Sequence, residues 1–149
     1  MPRKRPKSLE TDVYRKLWQL EHYAYVRGHL WKKSYRYTLI DDFRQHITAA
    51  KNAYVLGYEI LLRFRNDKVK CYNAALGELS TVESDMDHMI ADDIGIMSEK
   101  EWANTAILID SIRVELTKLI NSLNAPKGTG GSESLDHGTG SESAGNKDA

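Results

Sequence analysis

Apolar residues recur at helical spacing along four long stretches of this chain, without the alternation that marks a β-strand. The first stretch covers about 10–30. Its apolar stripe steps by three and four residues through Val13, Leu17, Leu20 and Ala24. Steps of that size put side chains on one face of a helix. The pattern therefore predicts an amphipathic first helix.

The second stretch predicts a helix that Thr38 caps and that continues to about Phe64. Its later half, residues 53–62, is apolar on almost every side. In a bundle of four helices each helix keeps an outer face, and an apolar outer face has to be covered. We therefore expect contact with another subunit. The predicted interface residues are Val55, Tyr58 and Leu62.

Two further helical stretches complete the pattern. Asn66 or Asp67 is expected to cap the third helix, and Gly95 is expected in the left-handed conformation at its end. Residues 98–101 have the form of a capping box that opens the fourth helix, and Pro126 is expected to stop it. Long helices joined by short links predict an all-α fold, an antiparallel up-down-up-down four-helix bundle.

Composition divides the chain into three regions. Residues 1–9 are expected to be a basic, disordered N-terminus, residues 10–124 the bundle, and residues 125–149 a disordered tail of Gly, Ser and acidic residues. No apolar run approaches the roughly 18 residues that span a bilayer, so no membrane contact is expected. A lone cysteine, Cys71, excludes an internal disulfide and favours a cytoplasmic location.

The formal net charge of zero conceals two oppositely charged halves. Residues 1–70 carry 16 Lys and Arg against 7 Asp and Glu, whereas residues 71–149 carry 5 against 14. A basic half indicates anion binding. The alternative is that basic and acidic helices pair inside the bundle and cancel each other's field.

The junction 31–39 is the most informative segment, because three cationic and three aromatic side chains alternate there. Cations with flat rings between them suit a phosphate backbone with partly unstacked bases. Basic residues continue this pattern into and beyond the second helix. The candidate nucleic-acid-binding residues are Lys32, Lys33, Tyr35, Arg36, Tyr37, Arg44, Lys51, Arg63 and Arg65.

Residues suited to catalysis or to metal binding form no convincing pattern. Asp85 and His88 give a single Asp-x-x-His, whereas a di-iron bundle needs two Glu-x-x-His pairs, so both are expected at the surface. The five histidines show no metal-ligand spacing with each other or with Cys71. We therefore expect a binding protein with no catalytic residue, metal or cofactor.

The order of four helices, with a basic aromatic link before the element 36–39 (Arg-Tyr-Thr-Leu) and Lys33 ahead of it, resembles the accessory variability determinant family of diversity-generating retroelements. That family belongs to a wider group of small four-helix bundles, which includes proteins encoded in intervening sequences of bacterial 23S ribosomal RNA genes. The resemblance extends over about 12–123.

The resemblance implies a barrel-like homopentamer with a positively charged surface and no catalytic activity. Its partners would be the retroelement's reverse transcriptase and structured template RNA, and it would support mutagenic cDNA synthesis. A bundle of the intervening-sequence type, or a purely protein-binding oligomeric scaffold, is the alternative.

Overall fold

A computed structural model describes residues 6–125, and within them the chain is all-helical with no strand. The four long helices are α1 (Asp12–Gly28), α2 (Asp41–Glu59), α3 (Arg65–Ile90) and α4 (Glu99–Asn124). The predicted all-α class and the number of helices are confirmed. The predicted disorder of residues 1–5 and 126–149, and the predicted stop at Pro126, lie outside the described residues.

Each helix packs against two others, in the pairs α1–α2, α2–α3, α3–α4 and α1–α4. This arrangement fits a four-helix bundle around one core. Fully buried side chains come from all four helices, among them Leu17, Phe43, Leu79 and Ile112. No helix within residues 6–125 is both long and apolar enough to cross a membrane.

The N-terminal segment contains local structure that composition did not predict. Lys7–Glu10 forms a 3₁₀ helix in which Ser8 is buried, although residues 1–9 were expected to be disordered. Thr11 then caps α1 by accepting a hydrogen bond from the Tyr14 backbone N–H at 3.3 Å. The Thr11 hydroxyl also meets the Tyr54 hydroxyl at 2.8 Å, and this contact ties the segment to α2.

The prediction that Thr38 caps α2 is wrong. Thr38 lies inside a π-helical turn, Arg36–Ile40, which runs directly into α2. Its hydroxyl donates to the Tyr35 carbonyl at 3.4 Å. Because the chain is already helical before Asp41, no side-chain cap is required at that point. A π-helical turn of this kind is frequent at functional sites.

α2 ends at Glu59, earlier than the predicted end near Phe64. The ammonium of Lys68, on the first turns of α3, donates to three carbonyls at this end: Gly57 at 2.9 Å, Tyr58 at 3.1 Å and Ile60 at 2.7 Å. A cation placed on the last carbonyls satisfies acceptors that have no intrahelical partner. Ile60 is extended, and the chain therefore leaves the helix there.

Three predicted helix ends have mixed outcomes. α3 begins at Arg65, with Phe64 at the N-cap position and no side-chain cap, so the prediction of Asn66 or Asp67 as its cap is wrong. Gly95 has the predicted left-handed φ of 58°, but it lies beyond the actual C-cap of α3, Ala91. The capping box opening α4 is confirmed, with both hydrogen bonds between Ser98 and Glu101 present.

Gly57→Ala should lower the free energy of unfolding by about 1–3 kcal/mol, because a Cβ there would lie 2.8 Å from Cys71 Cβ and 2.9 Å from the Tyr72 ring. Gly77→Ala is the matched control, since no atom within the described chain lies within 4 Å of its added Cβ. The control should gain up to about 1 kcal/mol from helix propensity. Urea denaturation of both variants measures the difference, and equal stabilities would contradict the close α2–α3 approach.

Candidate nucleic-acid interface

The connection from α1 to α2 is anchored by one buried aromatic side chain and exposes its basic groups. Trp31 is 5% exposed and packs edge-on against Tyr23 and Phe43. Lys33 is exposed, and Tyr37 is 85% exposed. Packing of Trp31 against the core therefore fixes the backbone that presents them.

The other candidate residues of this connection are held more closely. Tyr35 and Arg36 are half-buried. Lys32 is exposed, and its ammonium donates to the Ile94 carbonyl at 2.8 Å, beyond the end of α3. That bond leaves two ammonium protons of Lys32 for another acceptor.

Arg44 joins the surface of α2 to that of α1. Its guanidinium lies 5.5 Å from the ring centroid of Tyr25, and one of its terminal nitrogens is 3.9 Å from Asp41. Tyr25 is 48% exposed. A guanidinium on an aromatic face keeps its charge while losing little side-chain freedom on binding a phosphate.

Lys51, which was predicted to contact a phosphate, already has an anionic partner within the chain. Its ammonium donates to Glu21 Oε1 at 2.7 Å, and the Lys51 side chain is only 19% exposed. Glu21 is buried, and its other oxygen accepts from Thr48 at 2.6 Å. Lys51 and Arg44 do share one side of α2, as their spacing predicted, but that side faces α1 and supplies Lys51 with an internal partner.

Arg63 and Arg65 do not join the other basic residues on one continuous face. They follow the end of α2, whereas the basic connection precedes its start. The 19 residues of α2 separate the two groups by about 28 Å at 1.5 Å per residue. Arg63 is exposed and its guanidinium lies 5.0 Å from the Phe64 ring. The structure therefore contains two basic regions at opposite ends of α2.

Sequence reasoning missed an aromatic surface on the exterior of α1. Trp18 and His22 stack with ring centroids 4.7 Å apart and planes 9° from parallel, and Trp18 is 48% exposed. Trp18 and His22 lie four residues apart, and Tyr25 follows three residues later. This helical spacing was the feature of the sequence that could have predicted the aromatic surface. The hydrophobic stripe of α1 predicted only the buried face of that helix.

Other cations pair inside the bundle, as the charge-cancelling alternative expected. Lys16 contacts Glu115 across α1 and α4, and Arg113 contacts Glu83 across α4 and α3. Arg27 donates to Glu101 at 2.7 Å. On the α1–α2 side, Lys32, Lys33 and Tyr37 remain exposed, as do the α1 side chains Trp18 and Tyr25, while Arg44 is half-buried.

The three residues predicted for an oligomer interface have different environments. Val55 and Tyr58 are partly buried against the core of their own chain. Leu62 lies beyond α2 and is 65% exposed, close to the exposed Leu61 and Phe64. Leu56, on the outer face of α2, is 60% exposed. An apolar surface is therefore present on α2 and the turn after it.

Asp85 is buried, which contradicts its expected surface position, whereas His88 is exposed as expected. Asp85 sits opposite Asp42 of α2, where His46 also contacts Asp42 at 3.3 Å and Glu78 at 2.5 Å. The hydrogen bond to Glu78 raises the pKa of His46, against the opposing effect of burial.

No group of three or more metal-ligating residues in a metal-binding arrangement occurs between residues 6 and 125.

The geometry thus gives a helical bundle with an exposed basic and aromatic surface at the α1–α2 connection. No family model and no curated protein sequence matches the chain.

Proposed function

We propose that this protein is a non-catalytic, RNA-binding accessory subunit that supports cDNA synthesis by a retroelement reverse transcriptase. The observation that carries the proposal is the surface at the α1–α2 connection, where Lys33 and Tyr37 are exposed and Arg36 and Arg44 are half-buried, with the aromatic surface of α1 beside it. Fixed cations contact phosphates, and exposed rings accept unpaired bases. The polymerase partner and the mutagenic copying rest on the resemblance described above.

The proposal includes an antiparallel up-down-up-down helix order in a barrel-like homopentamer. Contacts between distant residues support the helix order. Thr11 at the start of α1 meets Tyr54 near the end of α2. Lys16 contacts Glu115 late in α4, while Arg27 contacts Glu101 early in α4. Self-association is supported by the exposed apolar side chains of α2 and its following turn, and repetition of the basic surface would add avidity.

One observation favours a second candidate, a purely protein-binding scaffold. Several basic side chains, including that of Lys51, are already paired with carboxylates of the same chain. In that case the basic half would complement the acidic half and contribute little to RNA binding.

The deciding experiment is an RNA-binding titration by fluorescence anisotropy over a range of salt concentrations. The double variant Lys33→Glu, Arg36→Glu should weaken binding at low salt by about tenfold or more. It should also flatten the dependence of log K on log salt by roughly 0.7–0.9 for each phosphate that the variant no longer neutralises. The salt slope distinguishes weaker phosphate binding from a general loss of folded protein.

A control with the same change in net charge is Lys70→Glu, Lys118→Glu, since both lysines are exposed on α3 and α4. Its affinity and salt slope should stay close to the wild-type values, apart from a small long-range effect. Equal losses of affinity in both double variants would mean that RNA binding depends on net charge alone and not on the α1–α2 connection. Wild-type protein with no RNA affinity at low salt would favour the scaffold.

A further inference from the structure

An open groove of about 450 Å³ lies directly beside the basic connection, between the start of α2 and the end of α3. The residues that line it include Tyr35, Leu39 and Ile94. Lys32 donates to the carbonyl of Ile94, so a cation stands at the groove's edge. Aromatic, aliphatic and cationic groups therefore surround one concave site.

The groove also contains two carboxylates. Asp42 is exposed, whereas Asp85 is only 8% exposed. Asp85 Oδ2 has no hydrogen-bond donor among the described residues. The carboxyl facing it is that of Asp42, and two carboxyls can bond to each other only when one carries a proton. A buried acceptor without a donor is costly, and the residue that bears it, Asp85, lines the groove.

A planar ligand with adjacent N–H donors would fit these groups. A carboxylate has two oxygens and accepts two parallel N–H bonds, as it does from a guanidinium. Among the nucleobases, guanine presents such a pair, its N1–H and its N2 amino group, on the edge opposite the sugar. Unpaired bases bind proteins by stacking on aromatic rings and by hydrogen bonds along this edge.

We propose that the groove between α2 and α3 is a pocket for an unpaired guanine base, which stacks on Tyr35 and donates to the Asp42–Asp85 pair. This inference rests on the proposed RNA-binding function and adds a base preference to it. The adjacent Lys32, Lys33 and Arg36 would hold the flanking phosphates. The negative charge of the pocket disfavours a phosphate and leaves the base as the group that enters.

The experiment compares nine-nucleotide RNAs, one of uridines only and three with a single central guanine, adenine or cytosine. The guanine oligonucleotide should bind wild-type protein about tenfold more tightly than the all-uridine one. In Asp42→Asn and Asp85→Asn this preference should fall to about twofold or less, because an amide replaces one acceptor oxygen with a donor. Asp87→Asn, an exposed neighbour on α3, loses the same charge and should keep the preference.

Separate outcomes identify which proposal fails. Equal affinity for all four oligonucleotides, with strong binding overall, would overturn the pocket and leave RNA binding intact. A second probe, guanosine alone, should shift the backbone amide NMR signals of Thr38 and His88, and this result would support the pocket even if no RNA bound. Stronger shifts with the amide of N-acetylarginine than with guanosine would overturn the base assignment in favour of a protein partner's guanidinium.

Discussion

The stability of Asp85→Asn relative to the wild type should increase by about 2–4 kcal/mol between pH 4 and pH 8. Burial, together with the neighbouring Asp42 carboxyl, raises the pKa of Asp85 from 3.8 to about 7, with His46 opposing the shift. Between these values the folded protein holds a proton that the unfolded chain has released. Wild-type stability therefore falls as pH rises through this window and levels off above about pH 7.

The titratable groups near Asp85 come from three elements. These groups are Tyr35, Asp42, His46, Glu78 and His88. Comparing the pH dependence of stability in the wild type and the variant isolates the contribution of Asp85. His46 also destabilises the fold as pH rises through its raised pKa, but it is present in both proteins. Urea denaturation of wild type and variant from pH 4 to pH 8 measures the difference. Parallel curves for the wild type and Asp85→Asn would contradict a raised pKa of Asp85.

Lys51→Met should lower the free energy of unfolding by about 3 kcal/mol or more, since it leaves the carboxylate of Glu21 buried without its cation. Glu21 is 7% exposed and would keep only the hydrogen bond from Thr48. Thermal unfolding followed by circular dichroism measures the loss. Lys118→Met removes an exposed lysine from α4 and should change stability by less than about 0.5 kcal/mol.

A double-mutant cycle gives the test its specificity. Glu21→Gln combined with Lys51→Met should be less destabilising than the sum of the single changes, with a coupling of about 1–3 kcal/mol. The reason is that a neutral amide has no charge to leave unpaired, and it can still accept from Thr48. Additive losses of stability would mean that Lys51 stabilises the fold through its aliphatic chain instead.

The helices and their buried faces could be predicted from sequence because both are set by local spacing. The first-helix stripe, including Leu17 and Leu20, is buried as predicted. The capping box at Ser98 was also predictable, because its two partners lie three residues apart. The end of α2 was not, because it depends on Lys68, which reaches back from the next helix.

The candidate site was predictable in part for the same reason. Lys33 and Tyr37 are exposed in the connection, as a polar linker requires. The pairing of Lys51 with Glu21 joins residues 30 positions apart, and it depends on how α1 and α2 are rotated against each other. The burial of Asp85 depends in the same way on the α2–α3 contact. Spacing along one helix contains no information about either.

The three hydrogen bonds from Lys68 also affect how the chain opens locally. If the last turn of α2 frayed, its carbonyls would lose the hydrogen bonds from Lys68, which belongs to α3. The end of α2 and the start of α3 should therefore unfold locally as one cooperative unit. The turn between them displays Leu61 and Leu62 to the exterior. Because this turn is already ordered in the free chain, binding of a partner there would cost less conformational entropy than binding to a flexible loop.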